Sequence, residues 1–443
     1  MKRFLTLIVL LAFAIIMPAQ TLSLEEAKAL ARKNNPEYQS KLAEYEAVKW
    51  NTQAVLGSAL PALNLSGTYL YSDPVTTVAG GIKLNNDLRT ISLNLSQPIF
   101  LGGKVWQAYQ LGKLNERMSE LSLRSFGITL GLEVEKKYQS VQSLIQAEQL
   151  SQKQFNSAQK NMLMAELKYE SGLISEADLL RFRSTLATRE IALLQADMAL
   201  ELAQSDLSNY LGIDSLPELE QASLDIADPL LERLVMMDKA ASDAFVNNAL
   251  GYAQGNNLGI KALETSTALA KKAYGISKSA FLPSVMLTGS RQFRENGIDR
   301  YEFTGSNQIM LTASFAILPQ YANYAATRKA YHDYRAGLQR SKNSINGISL
   351  GVQSSVLSLI TTAKQVKAAK LARDYSALSY AQLVERFSLN MLSAAELIDA
   401  EVMDSAAALA LINANMNYQK SLSALLGALG SEDINLITTL LDK

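Results

Sequence analysis

The chain has 443 residues, with 42 lysines and arginines against 42 aspartates and glutamates, one histidine and no cysteine. A formal net charge of +0 provides no basic footprint, which argues against nucleic acid as a partner. With one histidine, no cysteine and only scattered carboxylates there is no nucleophile–base pair or metal-ligand set, so neither an enzyme nor a cofactor or metal site is expected.

At the N-terminus, Lys2-Arg3, an apolar run over 4–17 and then Pro18-Ala19-Gln20 have the order of a secretory signal, assigned to residues 1–20. That run is too short to span a bilayer as a stable helix, and no later stretch reaches the roughly 20 apolar residues required. Without a cysteine there is also no acyl anchor of the lipoprotein kind. Only strands could place the mature chain in a membrane.

A helical pattern over 23–57 stops before Pro61, and strict alternation follows. Over 62–72, Leu63, Leu65, Tyr69 and Tyr71 share one face while Asn64, Ser66 and Thr68 share the other. Over 89–100, Ile91, Leu93, Leu95 and Ile99 alternate with Ser92, Asn94 and Ser96. Each segment has the 9 to 11 residues of a tilted transmembrane strand. Pro98 and then Gly102-Gly103 mark the return to helix, because proline removes a helical hydrogen bond and clashes with the preceding turn.

The stretch 103–170 contains no proline and predicts a helix of roughly 100 Å at 1.5 Å per residue. Val134, Tyr138, Val141 and Ile145 step by four, three and four along it. Gly172 suits a left-handed C-terminal cap. Ser175 with Asp178 has the capping-box spacing and opens a helix over 176–211, whose Leu179, Leu186, Leu193, Leu200 and Leu207 form a heptad seam. Residues 213–229, with two prolines and several acids, break the pattern and read as a linker.

Beyond the linker the chain repeats itself. Leu60-Pro61-Ala62-Leu63-Asn64-Leu65-Ser66-Gly67 recurs as Leu282-Pro283-Ser284-Val285-Met286-Leu287-Thr288-Gly289, and Asn34-Asn35 recurs as Asn256-Asn257. A weaker strand over 285–293 is followed by Ile309, Leu311, Ala313, Phe315 and Ile317 alternating with Gln308, Thr312 and Ser314, and Pro319 marks the strand-to-helix change. Ile345, Ile348, Val352, Leu359 and Val366 form the long-helix seam, and Asn390 stands where Gly172 stood. Ser393 and Glu396 form the second capping box, before a seam of Leu397, Leu411, Tyr418 and Leu425 with Asp404 as its polar exception. The domains are thus a signal at 1–20, a first repeat at 21–212 with its strand hairpin at about 62–100, and a linker at 213–229. A second repeat at 230–430, with its hairpin at about 284–317, and a C-terminal segment at 431–443 complete them. The architecture is mainly α, two tandem α-β-β-α units of long coiled-coil helices with four strands. Four strands cannot close a barrel and an open sheet edge cannot face lipid, so several chains must pool their strands. His332 and the adjacent Met236 and Met237 read as packing or surface residues.

Gln97-Pro98-Ile99-Phe100-Leu101-Gly102-Gly103-Lys104 resembles the strand-to-helix motif of TolC-type outer-membrane efflux proteins, and the tandem layout resembles that family along nearly the whole mature chain. Copy two reads Ala316-Ile317-Leu318-Pro319-Gln320-Tyr321 at this place and departs from the Gly-Gly pair. The resemblance implies a homotrimer in the outer membrane of a Gram-negative cell, with a twelve-stranded β-barrel continuous with a periplasmic α-helical barrel. The linker and C-terminal segments would form an equatorial region. It further implies outer-membrane lipid, a periplasmic adaptor and, through the adaptor, an inner-membrane transporter as partners, as in a tripartite efflux pump or a type I secretion system.

Carried over residue by residue, the resemblance places a periplasmic gate at Glu396 and Asp399. Glu396, like Asp178 in copy one, is also explained as a helix cap, whereas Asp399 lies beyond capping reach and its counterpart in copy one is Arg181, so the cap does not require an acid there. Three like carboxylates converging on one axis repel unless cations such as Arg181 and Arg183 hold them apart. Ser171, Gly172 and Leu173 with Leu389, Asn390 and Met391 resemble the adaptor-contacting tips, and read equally as solvent-exposed turns. A secreted coiled-coil scaffold or adhesin is the alternative; it explains the rods but not the paired alternating strands.

Overall fold

A computed structural model describes residues 21–71, 87–220, 229–295, 303–315, 317 and 320–442. The signal at 1–20, Pro319 and residues 221–228 of the linker lie outside the described residues. The elements in order are α1 (Leu24–Asn34), α2 (Pro36–Gly57), β1 (Ala62–Tyr71), β2 (Asp87–Leu101), α3 (Lys104–Glu170), α4 (Glu176–Leu211), α5 (Pro229–Val235), α6 (Lys239–Asn256), α7 (Leu258–Lys278), β3 (Ser284–Glu295), β4 (Phe303–Ser314), α8 (Gln320–Ser388), α9 (Ala394–Leu429) and α10 (Asn435–Leu441). The chain divides into two compact units, Met1–Lys41 with Leu123–Ile260 and Asn346–Lys443, and Leu42–Ser122 with Lys261–Ile345.

The first unit is helical, and its cores are the heptad seams. In copy one, Val134, Tyr138 and Val141 of α3 bury against Leu207 and Leu211 of α4 and Ala27 and Ala31 of α1. In copy two, Val352, Val356 and Leu359 of α8 bury with Tyr418, Leu422, Leu425 and Leu429 of α9. The Tyr138 hydroxyl, pushed above its ordinary range by burial, donates to the Leu22 carbonyl at 2.7 Å.

The single helix expected over 23–57 is two helices. Asn35 leaves the helix at ψ 119°, and its Oδ1 accepts from the Glu37 and Tyr38 amides at 3.0 and 3.1 Å, capping α2, with Pro36 at a first-turn position where no amide is needed. Asn257 does the same between α6 and α7, accepting from the Ile260 amide at 3.1 Å and donating to the Ala428 carbonyl at 2.7 Å. In copy one the neighbouring Asn34 supplies the second contact, donating to the Leu211 carbonyl at 3.2 Å. The recurring asparagine pair is therefore a hinge that ties each helix break to the end of a heptad helix.

Two short helices went unforeseen. Pro229 opens α5 instead of ending the linker, and α10 occupies much of the C-terminal segment; Leu230, Leu234, Ile437 and Leu440 join the copy-two core. Arg233 pairs with Asp442 at 2.6 Å, and Arg32 of α1 grips Glu432 at 2.6 Å.

The second unit carries a four-stranded antiparallel sheet in the order β1-β2-β3-β4, so the two hairpins lie side by side through β2 and β3. Pro98, read from sequence as a mark of the return to helix, does not interrupt the strand. It lies within β2, and the register against β3 shifts between Pro98 and Phe100. The turn into α3 is made by Gly102 and Gly103 at φ +61° and +73°, and a Cβ on Gly102 would lie 2.7 Å from the Ser279 carbonyl oxygen. Pro61 and Pro283 stand immediately before β1 and β3. β4 ends at Ser314, so the alternation read through Phe315 and Ile317 overruns the strand.

Candidate functional site

Two regions carry the functional argument, one in each unit. In the helical unit it is the pair of hairpin tips, α3 to α4 and α8 to α9. Both turns use the same left-handed closure. Gly172 takes φ +69° and Asn390 φ +60°, the latter the one described non-glycine residue with positive φ. The Leu173 amide donates to the Lys168 carbonyl at 2.8 Å and that of Met391 to Arg386 at 2.8 Å, the six-to-one bond of a Schellman cap. Both capping boxes form. The Ser175 hydroxyl donates to Asp178 Oδ2 at 2.7 Å while accepting from its amide at 3.2 Å, and Ser393 and Glu396 repeat this at 2.7 and 3.3 Å. The Ser393 hydroxyl, then the Ser393 amide, hold the Glu396 carboxylate below its ordinary range.

The tips of the two copies are fused. Phe182 and Phe387 meet at 5.6 Å between ring centroids, and with Met162, Ala165, Leu179, Ala394 and Leu397 they form a closed apolar cluster. Buried Lys168 crosses between the copies. Its ammonium lies 4.9 Å over the Phe387 ring, donates to the Ser388 carbonyl at 3.4 Å at the end of α8, and bonds Asn390 Oδ1. Asn390 thus closes its turn and receives the lysine, which a glycine there could not do.

One layer further along, Glu401 is 3% exposed and joins three elements: Arg189 Nε of α4 at 3.2 Å, Asn161 Nδ2 of α3 at 3.1 Å, and Tyr380 of α8 through Asn161, which donates to its hydroxyl at 3.1 Å. Burial first, then the Glu401 charge, raise the Tyr380 hydroxyl above its ordinary range. Asp404 pairs with Arg373 and accepts from Ser376 at 3.2 Å, which accounts for the polar exception in the seam. Sequence reasoning missed Lys168 and the Glu401 hub. The available signal was an acid four residues after Leu397, on the stripe where α9 is otherwise apolar or small.

Of the expected gate residues, Asp178 and Glu396 are engaged in their caps. Asp399 is exposed and makes no hydrogen bond or ion pair among the described residues. Arg183 lies 3.8 Å from Glu166, and among the described residues no ion pair joins Arg181 or Arg183 to Asp399 within the chain. At the tips Ser171, Gly172, Leu173, Leu389, Asn390 and Met391 are all exposed, Leu173, Leu389 and Met391 as bare apolar side chains. Exposed His332 packs edge-on to Tyr331, Met236 is exposed, and Met237 lies against the copy-two core.

In the second unit the sheet keeps its two faces separate across strands. Asn64 opposes Asn94, Ser66 opposes Ser92 and Thr68 opposes Thr90; on the other face Leu63 opposes Leu95 and Leu65 opposes Leu93. Copy two continues the pattern with Leu287 against Leu311 and Ser290 against Gln308. The apolar face is uncovered in the single chain, with Leu65 73% and Ile309 83% exposed, and every residue of β1 is exposed. A soluble protein buries such a face; an ordered, registered and bare one needs an apolar solvent. Near the helix-bearing ends of the strands Phe100, Trp106, Phe315 and Tyr321 are exposed aromatics. No described helix is long and apolar enough to cross a membrane.

The comparisons with known proteins follow the same lines. Residues 29–213 match the family model of outer membrane efflux proteins. The chain is 22% identical to outer membrane protein TolC of Escherichia coli over 444 residues, covering 96% of this chain and 86% of that protein. Among solved structures, CusC superposes with a TM-score of 0.78 at 16% identity, covering 92% of both chains, and the CmeC outer membrane channel of Campylobacter jejuni with 0.77 at 18%, covering 95% of this chain and 89% of that one.

Proposed function

We propose, from the premise that this chain belongs to the TolC-type family of outer-membrane efflux proteins, that three copies pool their sheets into one barrel and form an exit duct of a tripartite efflux pump or type I secretion system. The observation that carries this reading is the bare apolar face of a four-stranded sheet with two outer strands, β1 and β4, each paired on one side only among the described residues. Unpaired strand edges cannot stand in lipid, so the edge of β4 must meet the β1 edge of another copy, and closure through three copies satisfies every edge. The exposed aromatics at the helix-bearing ends fit a membrane interface.

Export is then a matter of the helical unit. Its fused tips present Leu173, Leu389 and Met391 as the apolar contacts for a periplasmic adaptor, which links the duct to an inner-membrane transporter. Asp399, exposed and without an ion-pair partner among the described residues, supplies a ring of three carboxylates at the periplasmic mouth, with Glu396 and Asp178 serving as caps beside it. Such a ring binds cations and narrows the mouth, and nothing in it selects cargo. The linker 213–229 and the C-terminal segment 431–443 act as the equatorial collar.

The test is conductance of the purified mature chain in planar bilayers, against Asp399→Ala. Expected are a detergent-dependent oligomer, steady channels, and block by multivalent cations about tenfold weaker in the variant, the loss of roughly 1.4 kcal/mol of attraction. A monodisperse water-soluble monomer overturns the duct. Equal conductance and equal block remove Asp399 from the gate.

A further inference from the structure

Two helix faces in the helical unit are apolar and uncovered, and neither the sheet nor the tips account for them. At the level of the heptad cores, contacts fix the order of the long helices as α4-α3-α9-α8. Lys137 of α3 pairs with Asp206 of α4, Gln139 of α3 bonds Gln419 of α9 at 3.3 Å, and Ser421 of α9 bonds Thr362 of α8 at 2.7 Å. α4 and α8 are therefore the edges of the wall. Opposite buried Leu207 and Leu211, α4 carries a second stripe of Ile191, Leu194, Met198 and Leu202; opposite buried Val352 and Leu359, α8 carries Leu357, Leu371, Tyr375 and Leu378. All eight are exposed, and they follow the three-and-four spacing of a coiled-coil seam. A helix inside a wall needs an apolar stripe toward each of two neighbours, whereas a helix that ends a wall needs only one.

The charges beside the two stripes are complementary. From Glu190 to Leu211, α4 has four acids, Glu190, Asp197, Glu201 and Asp206, and no base; from Ile345 to Arg373, α8 has four bases, Lys364, Lys367, Lys370 and Arg373, and no acid. Asp206 and Arg373 are engaged by Lys137 and Asp404, Lys364 donates to the Met237 carbonyl at 3.1 Å, and Lys370 has a partner of its own. Asp197, Glu201 and Lys367 are exposed and make no ion pair among the described residues. They also share a height. The tips of the two hairpins are level, since Asn161, nine residues before the end of α3, bonds Tyr380, eight before the end of α8. Asp197 stands 21 residues beyond the start of α4 and Lys367 21 before the end of α8, while Leu194 and Leu371 stand 18 and 17. In a ring whose axis runs along the rods every tip is level, so these pairs meet between neighbouring chains. With 3.6 residues per turn, Asp197, Glu201 and Lys367 fall on the same side of the wall when α4 and α8 run antiparallel.

We infer that the uncovered faces of α4 and α8 are the two halves of one interface, an antiparallel coiled-coil seam between neighbouring copies of this chain, with Asp197 set against Lys367. The contact joins two different patches, so it runs head to tail and closes as a ring. The inference rests on the three-copy duct proposed above and names the helical surface that closes it.

Because the chain has no cysteine, introduced thiols test the seam on a clean background. The full mature chain carrying Asp197→Cys and Lys367→Cys, purified in detergent and treated with a short thiol-to-thiol crosslinker, should run on a denaturing gel as a ladder of two and three linked chains. Leu194→Cys with Leu371→Cys should do the same. Each single variant should stay a single band. So should Asp197→Cys with Gln353→Cys, whose second thiol lies 14 residues, about 21 Å, further from the tip. A detergent-dependent oligomer whose paired thiols leave single chains, or in which the Gln353 pair links as well, overturns the seam while the duct stands, and the two faces then fall to an adaptor helix. A water-soluble monomer overturns the duct and the seam together.

Discussion

Replacing Arg189 by methionine tests whether the buried hub, and not the tip turns, holds the two hairpins together. Methionine keeps an unbranched apolar stem and removes the guanidinium, leaving the Glu401 carboxylate, 4% exposed, with the Asn161 amide as its remaining side-chain donor. Breaking a buried ion pair from one side costs about 3–5 kcal/mol. Because Arg189 is itself 14% exposed, water can partly replace it, and the lower figure of about 3 kcal/mol applies. That corresponds to roughly a 100-fold increase in local opening. Replacing Glu401 by methionine in the same chain removes the stranded charge, and the double variant should return to within about 1 kcal/mol of wild type, because well-packed apolar residues substitute for a buried pair at little cost. Hydrogen-exchange mass spectrometry of peptides from 155–190 and 380–405 gives the comparison directly. An Arg189→Met chain that exchanges as slowly as wild type would refute the reasoning, as would a double variant no better than the single.

Gly102→Ala should impair sheet formation more than Gly103→Ala. Both residues carry a left-handed backbone worth about 1–2 kcal/mol to any side chain, but only at Gly102 does the new methyl meet a carbonyl, at 2.7 Å from Ser279; thermal melts of the two oligomers in detergent should rank them so, and equal melting would count against it. The second tip should loosen in acid. Since the folded Glu396 carboxylate is held below its ordinary range by Ser393, its capping contribution is complete above that range and disappears as the pH falls through the depressed value. Amide exchange over 394–397, corrected for intrinsic chemistry, should rise below about pH 4 in wild type. Ser393→Ala, which removes the hydroxyl, should lack the step, and a step that persists would reject the assignment.

What could be read from sequence was whatever repeats locally. The seams through Val134, Leu207, Val352 and Leu425, the left-handed turns at Gly172 and Asn390, and the capping boxes at Ser175 and Ser393 are set by residues within a turn or two of each other, and all appear in the structure. The misses depended on distant partners. Asn35 reads as a residue within one helix, and Asn257 only as its repeat, until the ends of α4 and α9 give the asparagine pairs carbonyls to bind. Pro98 reads as a mark of the strand-to-helix change until β3 is present to pair on either side of the shift. Glu401 acquires its role only when Arg189 arrives from the other copy. Of the candidate site, the tips were visible; the lysine and the acid that fuse them were not.

The pairing of β2 with β3 also imposes an order on assembly. Residues within each hairpin meet after a short loop, whereas partners such as Thr90 and Arg294 are about 200 residues apart and wait for α3 through α7 to be made. An exported chain therefore forms two separate hairpins early and zips them together late. Until then it exposes four open edges instead of two, in a compartment full of other unfolded strands. The duplication that supplies four strands thus also creates a late step with exposed strand edges, and a chaperone that shields β2 and β3 would act there.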